Sequence, residues 1–147
     1  MFVLALAAAA ISGALMAIQG TLNSGLSKVL GLLEASFVVH VIGSLTGAVL
    51  LLFGLGQGNW RQAFQAPWFT YLGGILGIGI VLLVALAIGE VGAASATTAI
   101  IVGQVGTAVV IDLFGWFGME KAPFSYLKVV GVFLLAVGAW LLLYRPK

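Results

Sequence analysis

The stretch FTYLGGILGIGIVLLVALAIG, residues 69–89, contains no charged side chain. About 20 consecutive apolar residues are enough for a helix to cross the hydrocarbon core of a bilayer. A helix is the form that such a segment takes there, because it satisfies its backbone hydrogen bonds without help from water. The stretch therefore predicts a transmembrane helix.

The rest of the chain has the same apolar character. Of its 147 residues, 63% are hydrophobic and 7% are charged, whereas soluble domains carry about 25% charged residues. A soluble domain of this size would have to expose large apolar patches to water. The sequence thus predicts an all-α integral membrane protein, with residues 1–147 forming one domain of five spans at about Phe2–Leu22, Ala35–Leu55, Phe69–Gly89, Ala93–Phe117 and Tyr126–Tyr144.

Composition and motifs argue against several other classes of protein. The chain has no cysteine, which excludes disulfides, thiolate metal ligands and thiol nucleophiles. A net charge of +2 is too small to indicate a nucleic-acid partner. There is no HExxH or GxSxG motif, and the glycine-rich loop at residues 54–58 lacks the Lys-Ser/Thr ending of a phosphate-binding loop. We therefore expect no enzymatic activity, no cofactor and no metal site.

The basic residues are balanced between the two sides of the membrane. Five spans place the termini on opposite sides, with three basic residues on each: Arg61, Lys121 and Lys128 on the N-terminal side, and Lys28, Arg145 and Lys147 on the other. The positive-inside rule then predicts no preferred orientation. Two interpretations stay open at this point. In the first, copies of the chain insert in both orientations and pair antiparallel. In the second, signals weaker than the basic count set a single orientation.

Polar residues recur at helical spacing in three of the five spans. A polar side chain in lipid costs free energy unless it faces protein or water, so such faces should converge in a bundle. Glycines four residues apart, such as Gly43 and Gly47 or Gly73 and Gly77, also favour close helix packing. The candidate substrate-binding residues on these faces are Gln19, Asn23, His40, Ser44, Gln104 and Asp112.

Each candidate also has a purely structural interpretation, which for Ser44 is a hydrogen bond back to its own helix backbone. Gln19 and Asn23 would serve as caps if the first helix ended beside them. His40, the only histidine, would serve as a neutral packing residue. Gln104 would form an interhelical hydrogen bond of about 1 kcal/mol. Asp112, the only carboxylate within a predicted span, would reach the interface or meet a lysine there.

Four segments of the chain resemble one family of bacterial inner-membrane proteins. They are QGTLNSGL (19–26), VGAASATTAIIVGQ (91–104), GQVGTAVVIDLFG (103–115) and GVFLLAVGAWLL (131–142). Their order and spacing resemble the YdcZ-like family, a domain of unknown function within the drug/metabolite transporter superfamily. The residues that match its motif are Gln19, Asn23, Gly43, Gly92, Gln104 and Asp112, whereas His40 falls where a small polar residue is expected.

The resemblance implies half of a ten-helix transporter fold built from two inverted five-helix repeats. A chain of five helices then needs a partner of opposite orientation, as in the small multidrug resistance proteins. The implied function is secondary transport of a small molecule by an antiparallel dual-topology homodimer, multi-pass in the bacterial inner (plasma) membrane, with its site near the midplane. With one carboxylate in the spans, we expect a cationic or polar metabolite as substrate, and proton coupling through Asp112 or His40 is a further hypothesis. The alternative is a non-transporting small membrane subunit that packs against another membrane protein.

Overall fold

A computed structural model of the chain describes residues 1–144. It contains five α-helices, namely α1 (Phe2–Leu30), α2 (Leu32–Leu52), α3 (Leu72–Val91), α4 (Ala93–Phe114) and α5 (Tyr126–Leu143). All five are long and apolar enough to cross a membrane, and residues 1–144 contain no β-strand. The predicted all-α membrane fold with five spans is confirmed. Arg145 and Lys147 of the charge count lie outside the described residues.

Helix α1 is longer than the sequence predicts. It continues to Leu30 instead of ending near Leu22. Gly20, Asn23 and Ser24 are buried within it, so packing of this face offsets the weak helix propensity of asparagine, serine and glycine. The interpretation of Gln19 and Asn23 as caps of a helix end is therefore wrong. The other helix ends differ from the predicted ones by three residues or fewer.

A single glycine forms the turn between α1 and α2. Gly31 has φ 99° and ψ 158°, a conformation that side-chain-bearing residues rarely adopt. Its N–H donates to the Ser27 carbonyl at 2.9 Å, and its own carbonyl accepts from the Ala35 N–H at 3.0 Å. The Glu34 carboxylate occupies the space that a side chain at position 31 would need. The turn therefore requires glycine for its dihedral angles, whereas the Glu34 carboxylate ends a flexible side chain that is able to move aside.

The chain divides into two compact units, one formed by Met1–Glu90 and the other starting at Val91. In the first unit α1 packs closely on α3. A Cβ atom on Gly20 would lie 2.7 Å from Val84 Cγ1 and 2.8 Å from Ile88 Cδ1. Small residues allow this approach, as is common between membrane helices. That all 147 residues form one domain stays a prediction.

In the second unit α4 packs on α5. Ala96 of α4 and Ala139 of α5 are buried, so this contact also uses small side chains. Gly115 ends α4 in the left-handed conformation, with φ 66° and ψ 36°. The Ala122 N–H then donates to the Asp112 carbonyl at 2.9 Å, which fastens the following loop to the end of α4.

Candidate functional site

Three buried polar residues lie in the first unit. Asn23, Ser24 and Ser36 are 6%, 3% and 1% exposed, and no other polar or charged residue among residues 1–144 is buried to this extent. Asn23 and Ser24 lie on α1, where Ser24 Oγ is 3.3 Å from the position of a Cβ on Gly89 of α3. Ser36 lies on α2. The first unit therefore has a polar interior between its apolar helices.

Ser36 joins α2 to α3. Its hydroxyl donates to the backbone carbonyl of Ile78 at 3.2 Å. Serine in a helix commonly bonds to its own helix instead, so this bond has no local signal in the sequence. The bond across 42 positions of the chain gives α2 a fixed polar contact with α3.

His40 has a defined hydrogen bond on one side of its ring. Its Nδ1 lies 2.7 Å from the backbone oxygen of Ser36, one turn earlier in α2. A carbonyl only accepts, so Nδ1 carries the hydrogen and Nε2 is left to accept a hydrogen bond or a proton. Nε2 points to α3, 3.2 Å from the position of a Cβ on Gly77. The ring is thus hydrogen-bonded within α2, and its second nitrogen faces Gly77 of α3.

Asn23 is buried but its amide has no internal partner. The side chain forms no hydrogen bond within residues 1–144, although the residue is only 6% exposed. No side-chain nitrogen or oxygen in the described residues is both inaccessible and unpaired. The Asn23 amide nitrogen and oxygen therefore each keep a small accessible surface.

Three candidate residues are exposed on the surface of the chain. Gln19 on α1 and Ser44 on α2 belong to the first unit, and Gln104 on α4 belongs to the second. None of the three side chains forms a hydrogen bond within the described residues. Exposed threonines behave differently, since Thr21 and Thr98 donate to carbonyls of their own helices at 2.9 and 2.8 Å. The convergence of the candidate residues on one site stays a prediction.

Asp112 lines a pocket at the end of α4. The pocket has a volume of about 120 Å³ and is formed with Phe124 and Ser125 of the loop before α5 and with Lys128 of α5. The Asp112 carboxylate forms neither an ion pair nor a hydrogen bond within residues 1–144. The expected contact with a lysine is therefore only partly met, since Lys128 lines the pocket but forms no ion pair with Asp112. The pocket thus combines an unpaired carboxylate and a lysine with mainly apolar walls.

The sequence predicts Asp112 as the only carboxylate within a span, but two further carboxylates lie inside the helices. Glu34 lies in the first turn of α2, and Glu90 precedes the last residue of α3. Gly115 ends α4 earlier than predicted, so Asp112 lies two residues from the last residue of α4, Phe114. All three acids therefore lie near helix ends, where the cost of a charge is lower than at the bilayer centre.

Sequence reasoning passed over some of the residues that hold the first unit together. Gly20 and Ser24 are four positions apart, a small-residue spacing that would have indicated the contact with α3. Of the glycines singled out by the same rule, Gly77 contacts another helix. Within residues 1–144, a Cβ placed on Gly43, Gly47 or Gly73 would meet nothing within 4 Å beyond its chain neighbours and the nearby backbone of its own helix.

Comparison with known proteins extends these observations. A family model described as "Putative inner membrane exporter, YdcZ" matches residues 4–141. The chain belongs to the YdcZ family. No curated protein and no solved structure matches the chain.

Membership of the YdcZ family confirms the resemblance that the four sequence segments carry. The family description and the five apolar helices place the protein in the inner membrane, as predicted. The YdcZ family is described as one of exporters and not of enzymes. The protein is accordingly a multi-pass membrane protein of an exporter family, which implies a small molecule as its substrate.

Proposed function

We propose that the protein is a secondary transporter that exports a cationic or polar small molecule as an antiparallel dual-topology homodimer. The observation that carries this proposal is the exposure of Gln19 and Gln104 on membrane-spanning helices without any partner in residues 1–144. An amide in contact with lipid is costly, so such groups face protein or a water-filled cavity. A second copy and the cavity between the copies would provide both.

The number of helices supports the same arrangement. Secondary transporters are commonly built from inverted repeats, with the substrate bound near the midplane between them. One chain has five spans and therefore supplies one such repeat. A second copy in the opposite orientation supplies the other. Three basic residues on each side of the membrane leave both orientations open to the chain.

The candidate residues offer two kinds of ligand group: groups that both donate and accept hydrogen bonds, and groups that only accept them. Gln19, Asn23 and Gln104 offer amides that donate and accept hydrogen bonds, and Ser44 offers a hydroxyl. His40 offers Nε2 as an acceptor, and Asp112 offers a carboxylate that forms no ion pair within residues 1–144, although Lys128 lines the same pocket. Such a set favours a substrate with a positive charge or with several hydrogen-bond donors over an anion. The same acceptors make Asp112 and His40 the candidates for proton coupling.

A cross-linking experiment separates this proposal from the alternative of a non-transporting subunit. The chain contains no cysteine, so Gln104→Cys supplies a single thiol, which is treated in membranes with a short bifunctional thiol reagent. A homodimer gives a product of twice the 15.1 kDa chain. A product of constant stoichiometry with a different membrane protein contradicts the homodimer. Ser95→Cys, at the start of α4, is the control for random collision.

A ligand screen tests the transport part of the proposal. Compounds that bind the folded protein raise its apparent melting temperature in proportion to RT ln(1 + [L]/Kd). We expect organic cations or polar metabolites to raise the melting temperature of the purified protein, and anions of the same size to have no effect. Stabilisation by anions alone contradicts the proposed substrate class. A cross-linked dimer that no compound of the panel stabilises, and that moves none of them in proteoliposomes, contradicts transport.

A further inference from the structure

The segment between α2 and α3 carries a dense group of exposed aromatic residues. We call residues 54–71 the interfacial segment. Trp60, Phe64 and Trp68 are 74%, 96% and 76% exposed. Because the helices on both sides of the segment are membrane spans, the segment lies at a membrane surface. Aromatic rings of this kind prefer the boundary between headgroups and acyl chains.

The interfacial segment has a defined conformation. It forms two short 3-10 helices, Trp60–Gln65 and Trp68–Tyr71. The Asn59 side chain accepts from the Arg61 N–H at 3.1 Å and so caps the first of them. The Tyr71 hydroxyl donates to the Ala63 carbonyl and connects the two. The exposed rings are therefore held on a fixed framework.

The interfacial segment carries a single positive charge. Arg61 is the only charged residue between Glu34 and Glu90 in the sequence. Its guanidinium forms no ion pair and no hydrogen bond within residues 1–144, and the residue is exposed. A planar guanidinium binds phosphate with two parallel hydrogen bonds. At a membrane surface, the group available to it is the phosphate of a lipid headgroup.

A pocket is formed by residues that flank Arg61 in the sequence, although Arg61 itself does not line it. It has a volume of about 320 Å³ and is formed by the end of α2 and the start of the interfacial segment, including Leu51, Gly58, Asn59 and Trp60. Its walls are partly polar and partly apolar. That mixture suits the glycerol region of a phospholipid, which is polar towards its phosphate and apolar towards its chains.

We propose that the interfacial segment is a binding site for an anionic phospholipid. In this arrangement Arg61 pairs with the headgroup phosphate, and Trp60, Phe64 and Trp68 lie at the level where the acyl chains begin. Basic residues at a membrane surface favour anionic over zwitterionic lipid. The site is independent of the proposed transport function, since it rests on neither Gln104 nor a second copy.

The depth of the segment is tested with a protein whose only tryptophan is Trp60, made by W68F, W116F and W140F. In vesicles we expect lipids brominated near the top of their acyl chains to quench its fluorescence, and aqueous iodide to have little effect. Quenching by iodide instead places the segment in water and overturns the proposal. If neither reagent quenches the fluorescence, protein covers the Trp60 ring, and this result also overturns the proposal.

Lipid specificity is tested with the full-length protein in nanodiscs of phosphatidylcholine containing increasing phosphatidylglycerol. We expect the melting temperature of the wild type to rise with the anionic lipid, and Arg61→Gln to reduce the apparent affinity roughly fivefold, the factor given by about 1 kcal/mol per basic residue. Arg61→Lys should retain most of the response. Lys28→Gln, at the exposed end of α1, is the matched control: it removes the same charge outside the interfacial segment and should reduce the affinity less than Arg61→Gln does. An equal response in Arg61→Gln and the wild type overturns the proposal.

Discussion

His40 Nδ1 and the backbone oxygen of Ser36 are 2.7 Å apart, and the Ser36 hydroxyl bonds in turn to the carbonyl of Ile78. The first bond lies within α2, and the second joins α2 to α3. The first also fixes which nitrogen of the histidine carries its hydrogen, so Nε2, which faces Gly77 of α3, carries none. The hydrogen bonds of Ser36 thereby hold His40 Nε2, a hydrogen-bond acceptor, in a fixed position within the first unit.

Gly77→Ala should disturb this arrangement by displacing the imidazole ring. The new methyl would lie 3.2 Å from Nε2, tighter than an ordinary contact. We expect a lower melting temperature and a weaker response to any ligand that depends on His40. Gly73→Ala is the control, because nothing lies within 4 Å of its Cβ and alanine favours a helix over glycine by about 1 kcal/mol. A Gly77→Ala protein as stable as Gly73→Ala would contradict the packing described for His40.

Ser36→Ala should weaken the contact between α2 and α3. It removes the hydroxyl that bonds to Ile78, and interhelical hydrogen bonds in membranes contribute about 0.6 kcal/mol on average. Chemical unfolding in mild detergent should show a loss of this size. Ser44→Ala changes an exposed serine that forms no hydrogen bond within residues 1–144, so its unfolding free energy should match that of the wild type. An equal effect of the two substitutions would argue against the bond.

Gly20→Ala should destabilise the contact between α1 and α3. The methyl would lie less than 3 Å from both Val84 and Ile88, and overpacking of a close contact costs about 1–3 kcal/mol. Gly13→Ala, on the same helix with nothing nearby, should cost nothing. Adding Val84→Ala to Gly20→Ala should restore part of the loss. Absence of any loss in Gly20→Ala would show that these helices are not in close contact.

Asp112→Asn should abolish binding of cationic ligands while leaving the fold intact. The substitution keeps the shape of the side chain that lines the α4 pocket and removes its charge, which no ion pair within residues 1–144 compensates. The readouts are the ligand-induced rise in melting temperature and transport in proteoliposomes. Glu120→Gln, in the exposed loop that follows α4, is the matched control. Full coupled transport by Asp112→Asn would remove this carboxylate from the mechanism.

The apolar spans could be predicted from sequence because length and composition decide them, as in Leu72–Val91. The end of α1 could not. Asn23 and Gly25 interrupt the apolar pattern, and the burial that keeps this stretch helical depends on contacts with distant residues. The bond from Ser36 to Ile78 spans 42 positions and has no local signal. No partner for the exposed Gln19 or Gln104 lies within residues 1–144, so the sequence of one chain predicts their need for a partner without identifying it.

The central claim, that two copies pair in opposite orientations, is tested most directly by thiol labelling of Gln57→Cys in the loop after α2. The chain has no other cysteine, so a membrane-impermeant reagent reports which side of the membrane this one position occupies. We predict that about half of the copies are labelled from outside intact cells and the rest in inverted vesicles, as a balanced basic count implies. Labelling of every copy from the same side would contradict the antiparallel homodimer.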